Sequence, residues 1–443
     1  MKITVIRVNM FEENSNDAMK PLIFPILDSL TPKRVEMIFF DDRIEPLPEK
    51  IDSDIIVFSA ETFSIKRAYI LAKKYKKDNN ITVIGGFHST VMPEESGLYC
   101  DCVLVGDAED TWKKMIEDYM KGELKKKYIS EFSKELGYID YYHRAFKEKK
   151  YQPIGVVQFS RGCKFDCDFC SIKSMYKGNV KQKKWDIIEK ELKNFKEKII
   201  FFIDDNLLYD RESFLKFLQI VKPLKKRWAC QISMDIAFQD DILKKMQESG
   251  CFLVLIGFES LNTLNLQQMN KKANLTVKDY DRAIENIYKH GLLIYGTFIF
   301  GYDYDTLENV RETISFAHRH NFTVANFNPL IPMPGTKLYE RLDKSQRLLY
   351  KKWWLEEEYC YGDTVYQPAG MSPEDLKNLC KDARFEFYSV KNIFKRLIRN
   401  KLHLSFKNMW IYLLVNIVSR REIHQKQGRI LGGRWNENNL DKT

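Results

Sequence analysis

Eleven short apolar runs of strand type, separated by stretches of helical period, recur through the first 329 residues of this 443-residue chain. No other feature constrains the fold as strongly. Strands linked by helices pair in parallel, and the crossovers lay helices on both faces of the sheet. The runs fall into two series. The first occupies residues 2–9, 35–41, 55–59, 81–86 and 102–106, with helical segments near 65–77 and 110–121. A doubly wound parallel sheet is expected, with any ligand beyond the carboxyl ends of its strands. Those ends carry Ser59, Ala60 and Glu61, then Gly85 and Gly86, then Gly106. Glycine at such a place either lets a bulky ligand approach the backbone or makes a tight turn into the next helix.

The second series lies at 154–160, 199–204, 228–234, 252–258, 293–300 and 323–329, with helical patterns at 184–196, 212–225, 241–249, 277–290 and 306–319. Six β–α repeats in about 180 residues form a wound sheet that curls toward a barrel, with its active face at the strands' carboxyl ends. The chain is therefore an α/β protein divided into a first domain at 1–125, a polar and aromatic linker at 126–152, a barrel-like domain at 153–340 and a helical, basic region at 341–443. No short-period repeat is present, which excludes a solenoid.

With 44% hydrophobic residues the chain can bury a large core, and disorder, collagen and a small disulfide scaffold are excluded. No run reaches the roughly 18 uninterrupted apolar residues of a membrane span. The opening MKITVIRVNMFEENSND reads as a strand followed by a polar loop, not as a signal peptide. A cytoplasmic location is expected, where thiols stay reduced, so the nine cysteines need a reason other than disulfides. Of the net charge of +10, the segment beyond residue 380 contributes +9, with 14 Lys and Arg against 5 Asp and Glu. That tail includes the run MWIYLLVNIV at 409–418, between Lys401 and Lys407 on one side and Arg420 and Arg421 on the other. Two readings stand: a helix docked on the barrel, or one lying in the interface of the inner membrane face. The aromatic stretch from Trp353 to Tyr366 is either core or pocket wall.

The strongest chemical signal is RGCKFDCDFC, which sets Cys163, Cys167 and Cys170 in C-x3-C-x2-C spacing directly after the first strand of the second series. Thiolates in such a loop can converge on an iron–sulfur cluster. A structural zinc site wants four closed ligands, usually as two knuckles, and no second pair or companion His stands near; His88 and His143 are remote. Three local cysteines without a fourth imply a cluster with one open iron.

This spacing, with the aromatic Phe169 before the last cysteine, resembles the radical S-adenosylmethionine (SAM) superfamily. The resemblance implies a partial (β/α)6 barrel in which Cys163, Cys167 and Cys170 ligate a [4Fe-4S] cluster whose open iron chelates SAM. It also places Phe169 near the adenine. Asp204 and Asp205 after the second strand, Ser233 after the third, and Gly257 and Glu259 after the fourth stand where the family contacts SAM; a helix cap is the ordinary alternative for each. Gly85 to Thr90, then Met92 to Glu95, then Val103 to Glu109, are similar to the cobalamin-binding domain preceding the barrel in class B radical SAM enzymes. Ser59, Glu61, Gly85, Gly86 and Gly106 are the cobalamin candidates. The resemblance covers about 340 of the 443 residues. It departs at one point: mutase-type cobalamin domains carry a His that ligates cobalt, and the loop at 10–21 has none. Cobalamin would then be held without a protein imidazole; a domain that has lost its cofactor is the alternative.

By resemblance, the function is reductive cleavage of SAM to a 5′-deoxyadenosyl radical, hydrogen removal from an unactivated carbon and methyl transfer from cobalamin, with the cofactors carrying the chemistry and the protein aiming it. A cyclisation, rearrangement or oxidation without methyl transfer is the first alternative. A methylthiotransferase, or a non-enzymatic metal-binding protein, is the second. The expected partners are a small-molecule or lipid substrate and an electron donor such as flavodoxin or ferredoxin, with peripheral membrane contact through the tail; nucleic acid is not expected.

Overall fold

The computed structural model describes residues 1–15, 18–77, 80–132, 134–400 and 406–433. The first series of runs gives strands β1 (Lys2–Arg7), β2 (Glu36–Asp41), β3 (Ile55–Ser59), β4 (Ile81–Gly85), β5 (Cys102–Val105) and β6 (Lys127–Ile129). They pair in parallel in the order β2-β1-β3-β4-β5-β6. The winding reverses between β1 and β3, the switch point at which such sheets bind ligands. Phe24 and Leu27 of the helix Ile23–Leu30 and Trp112 and Met115 of Ala108–Met120 cover one face. The other face packs against Tyr69 and Tyr75 of the helix Ile65–Lys76 and against Trp353 and Trp354 from the tail. Burial on both sides explains why these runs are continuously apolar.

The sheet runs past residue 125. β6 lies at its edge, within the expected linker, and buries Tyr128 alone of its three residues. One inward side chain gives no alternation to read, so the strand has no sequence signature. The rest of the linker holds a short 3-10 turn at Arg144–Phe146 and, among its described residues, no α-helix. It is tied to the barrel by Glu191, which accepts from the Ile139 backbone N–H at 2.7 Å and the Tyr141 hydroxyl at 3.1 Å. Glu191 also pairs with the Lys183 ammonium at 2.6 and 2.7 Å, and both side chains are almost fully buried.

The second series gives β7 (Gly155–Val157), β8 (Ser160–Arg161), β9 (Lys181–Gln182), β10 (Ile199–Phe202), β11 (Arg227–Ile232), β12 (Cys251–Glu259), β13 (Leu293–Phe300) and β14 (Val324–Pro329). Six of them pair in parallel in the order β14-β13-β12-β11-β10-β7; the outer two do not meet, so the barrel is open. Along β13 and β14 burial alternates. Phe298, Phe300 and Phe327 form a ladder of rings 5.7 to 6.3 Å apart in the core, while Thr297, Ile299, Asn326 and Asn328 on the opposite row stay half-exposed. That second row lines the barrel's interior. β8 and β9 form an antiparallel ribbon that closes the segment holding the three cysteines.

The tail adds helices Lys337–Lys344, Pro373–Phe387, Val390–Asn400 and Phe406–Lys426. The run expected at 409–418 lies in the last of these. It is docked through Tyr412 and Asn416, both fully buried, and the Asn416 amide donates to the Thr323 carbonyl at 3.0 Å. Beyond it the chain returns to the first domain, where Leu431 joins the core and the Gly432 N–H donates to the Met10 carbonyl at 2.8 Å. No helix among the described residues is long and apolar enough to cross a membrane. Lys401 and the end of the 341–443 region, residues 434–443, lie outside the described residues, as does the side chain of Lys407.

Candidate active site

The cysteine loop is held by everything except its thiols. Asp204, at the tip of β10, accepts from the backbone N–H groups of Phe159 and Ser160 and from the Ser160 hydroxyl. Burial pushes its carboxyl up to about 6 despite these donors. Asp205 accepts from the Gly162 N–H at 2.7 Å. Gly162 has φ +93°, and a Cβ there would stand 2.0 Å from the Asn179 carbonyl oxygen, so only glycine fits. Further along, the Asp168 N–H donates to the Met269 carbonyl at 3.0 Å. The Asp168 carboxylate accepts from the Tyr302 hydroxyl at 2.6 Å and the Arg341 guanidinium at 2.9 Å. Asp204 and Asp205, expected beside SAM, thus have oxygens committed to the loop's backbone.

Cys163 and Cys170 are half-buried and Cys167 is buried. Burial pushes all three thiols up, Cys167 to about 12, and Cys163 also raises both Cys167 and Cys170. Thiols that titrate so high become thiolates by binding metal. Among the described residues no group of three His, Cys, Asp or Glu is gathered tightly enough for a single ion. A zinc ion would hold its sulfurs at about 2.3 Å. Three soft thiol donors carried on one short loop suit the corners of an iron–sulfur cluster.

Beside the thiols, the strand β12 ends on a bulge between Gly257 and Glu259. Glu259 sits in the left-handed region at φ +61°, a costly conformation for a side-chain-bearing residue. Its carboxylate meets the Lys271 ammonium at 2.8 Å, and that ammonium stands 5.8 Å from the Phe169 ring centroid. A Cβ on residue 257 would lie 2.1 Å from the Glu259 carboxylate, so this glycine makes room for the pair. Burial works against the charge on Lys271, but Glu259 and Cys167 hold its pKa above the ordinary value. Phe169, Gly257 and Glu259 are therefore brought together. Lys271 joins them without any signal in the sequence, being one lysine among many. Ser233 follows β11, whose Ile232 pairs with Ile256 of β12, and its hydroxyl donates to Asp235 at 2.6 Å and receives the Asn206 amide at 3.4 Å.

In the first domain, Ser59, Gly85, Gly86 and Gly106 line one cavity of about 200 Å³ over the ends of β3, β4 and β5. Its apolar wall includes Ile26, Leu27 and Trp112. The opposite wall comes from the barrel's cysteine segment: Arg161, Met175 and Tyr176. Arg161 pairs with Asp107 at 3.3 Å and Glu109 at 3.0 Å, fixing the two domains to each other at this point. Positive φ favours glycine at 86 and 106, where a Cβ would also meet the Ala60 backbone at 2.3 Å and the Ser130 side chain at 2.7 Å; a Cβ at Gly85 would make ordinary contacts. Glu61 lies outside this cavity and pairs with Arg7. His88 is fully buried, with Nδ1 3.2 Å from the Thr62 hydroxyl and Nε2 3.1 Å from Glu95. Both ring nitrogens are engaged, and among the described residues no His lines the cavity.

Residues 157–317 match the Radical SAM superfamily. Over 421 residues the chain is 27% identical to bacteriochlorophyllide d C-12(1)-methyltransferase of Chlorobaculum tepidum, covering 92% of this chain and 90% of that protein. Its fold is similar to that of TsrM from Kitasatospora setae, a radical S-adenosylmethionine methyltransferase solved with cobalamin and a [4Fe-4S] cluster. The TM-score is 0.65 at 13% identity, over 85% of this chain and 84% of that one. It is also similar to the cobalamin-dependent S-adenosylmethionine radical enzyme OxsB, with TM-score 0.61 and 13% identity over 96% and 72% of the two chains. At such identity the likeness to the solved structures is one of fold.

Proposed function

We propose that the chain is a radical SAM enzyme of the class that sets a cobalamin-binding-type domain before its barrel, and that it methylates an unactivated carbon of a small molecule. Cys163, Cys167 and Cys170 would hold the [4Fe-4S] cluster, leaving one iron to SAM. Phe169, Gly257, Glu259 and Lys271 would receive SAM, and the cavity lined by Ser59, Gly85, Gly86 and Gly106 would take part of cobalamin, held without an imidazole. When bound, the cluster and SAM supply a 5′-deoxyadenosyl radical, and cobalamin supplies a methyl group. The chain's own residues orient these groups. Asp204, Asp205 and Asp168 fix the cysteine loop, while the bulged end of β12 aims Glu259 and Lys271 at the space beside Phe169. An external one-electron donor is required, and flavodoxin or ferredoxin chemistry suits it.

The observation that carries this reading is the shared wall. The segment bearing the three cysteines also supplies Arg161, Met175 and Tyr176 to the first domain's cavity, and Arg161 ties the two domains together there. SAM with an isotopic methyl group, given to the reconstituted protein with cobalamin, should transfer the label to the bound cobalamin. Release of 5′-deoxyadenosine with no labelled cobalamin would favour a radical reaction without methyl transfer.

We also propose that the tail rests on an anionic membrane. The helix Val390–Asn400 exposes Val390, Phe394 and Ile398, and Phe406–Lys426 exposes Trp410, Leu414 and Ile417. Spacings of three and four put each trio on one helix face. Lys391, Lys395 and Arg399 supply positive charge alongside, which anionic lipid complements. The full chain should pellet with phosphatidylglycerol vesicles, and Phe394→Glu with Trp410→Glu should abolish pelleting; equal pelleting of variant and wild type would count against the contact.

A further inference from the structure

A second cavity, of about 420 Å³, opens where the barrel mouth, the first domain and the tail meet. Phe169 of the cysteine loop forms part of its wall, with Ile299 and Asn328 from the barrel strands and Met10 and Phe63 from the first domain. Anything held here lies against the ring adjoining Cys170. The lining is mostly apolar and, among the described residues, contains no Asp or Glu. It does contain Arg384, on the helix Pro373–Phe387, whose residue surface is 6% exposed. The Arg384 Nε donates to the Cys380 carbonyl at 3.1 Å, but among the described residues its buried Nη2 has no hydrogen-bond partner and the side chain forms no ion pair. Tyr359 also lines the cavity, 4% exposed, and its hydroxyl is likewise unpartnered. Asp363, next to the lining residue Gly362, meets Lys377 at 3.0 Å and accepts from the Cys360 N–H at 3.0 Å.

A buried cation without a counter-charge is costly, and so is a buried hydroxyl without a partner. Two such groups on one apolar cavity are explained if a ligand completes both. We propose that this cavity is the substrate pocket and that the substrate is an apolar molecule bearing a carboxylate, which pairs with the Arg384 guanidinium and accepts from Tyr359. This deepens the methyltransferase reading and rests on it for the word substrate. A guanidinium presents two parallel donors to a carboxylate, a geometry that discriminates the acid from its ester. One cation and one hydroxyl match a monoanion; a phosphate ester would leave charge unpaired.

The test is binding, without turnover. 1-Pyrenebutanoic acid and its methyl ester present the same apolar body with and without the charge. Titrated by fluorescence into the full-length protein, the acid should bind roughly tenfold or more tighter than the ester, as expected of a charge-assisted hydrogen bond. Arg384→Met should erase that preference and leave ester binding intact. It should also fold with an unchanged or raised melting temperature, because an unpaired buried cation is removed. Tyr359→Phe should weaken the acid alone, and Arg384→Lys should keep part of the preference. Equal binding of acid and ester by the wild type, or a preference that survives Arg384→Met, would overturn the proposal. Failure of methyl labelling of cobalamin would leave this result untouched, so the two readings fail separately.

Discussion

Replacing any of Cys163, Cys167 or Cys170 by Ala is expected to remove the iron–sulfur absorbance of the reconstituted protein and reduce SAM cleavage to the background rate. The loop is pinned by Asp204 and Asp205 at one end and by Asp168 in its middle, none of which needs the thiols. The variants should therefore fold, with melting temperatures close to that of the wild-type apoprotein. That separation makes the result informative. Loss of the cluster in a folded protein identifies a ligand, whereas a variant that keeps a full complement of iron and sulfide would remove its cysteine from the ligand set.

The second large effect concerns stability. Glu191→Leu should lower the stability of the barrel by about 3–5 kcal/mol, the usual cost of stranding one member of a buried ion pair. The Lys183 ammonium would lose both bonds to Glu191, and the linker would lose its anchor at Ile139 and Tyr141. Its thermal transition should fall by roughly 10 °C. Adding Lys183→Met should recover much of the loss, because two apolar residues of similar volume can replace a buried pair at little cost. A double variant as unstable as Glu191→Leu alone would show instead that the linker's hydrogen bonds carry the energy.

Much of the fold is legible in the sequence because strand runs and helical periods are local. The eleven runs appear as strands within a few residues of their expected limits, the first run of the second series splitting into β7 and β8, and the cysteine loop stands at the end of its strand. What escapes the sequence is set by distant contacts. β6 buries one residue and so has no period. Asp204 and Asp205 look like ligand contacts in sequence, yet the chain uses their oxygens to fix Ser160 and Gly162. Lys271 and Arg384 acquire their places only when β12 bulges and the tail folds back over the barrel mouth. The aromatic stretch serves both uses: Trp353, Trp354 and Tyr359 are core of the first domain, and Tyr359 and Tyr361 also line the second cavity. Helix Phe406–Lys426 docks through Tyr412 and Asn416, as the first reading of the tail has it, and leaves Trp410, Leu414 and Ile417 exposed.

The central claim is that three thiols on a fixed loop hold a cluster that passes one electron to SAM. The most direct measurement is anaerobic incubation of the reconstituted wild-type protein with dithionite and SAM, followed by chromatography. Methionine and 5′-deoxyadenosine in equal amounts, produced only with reductant, are expected. SAM recovered intact beside a reduced, fully loaded cluster would contradict the account.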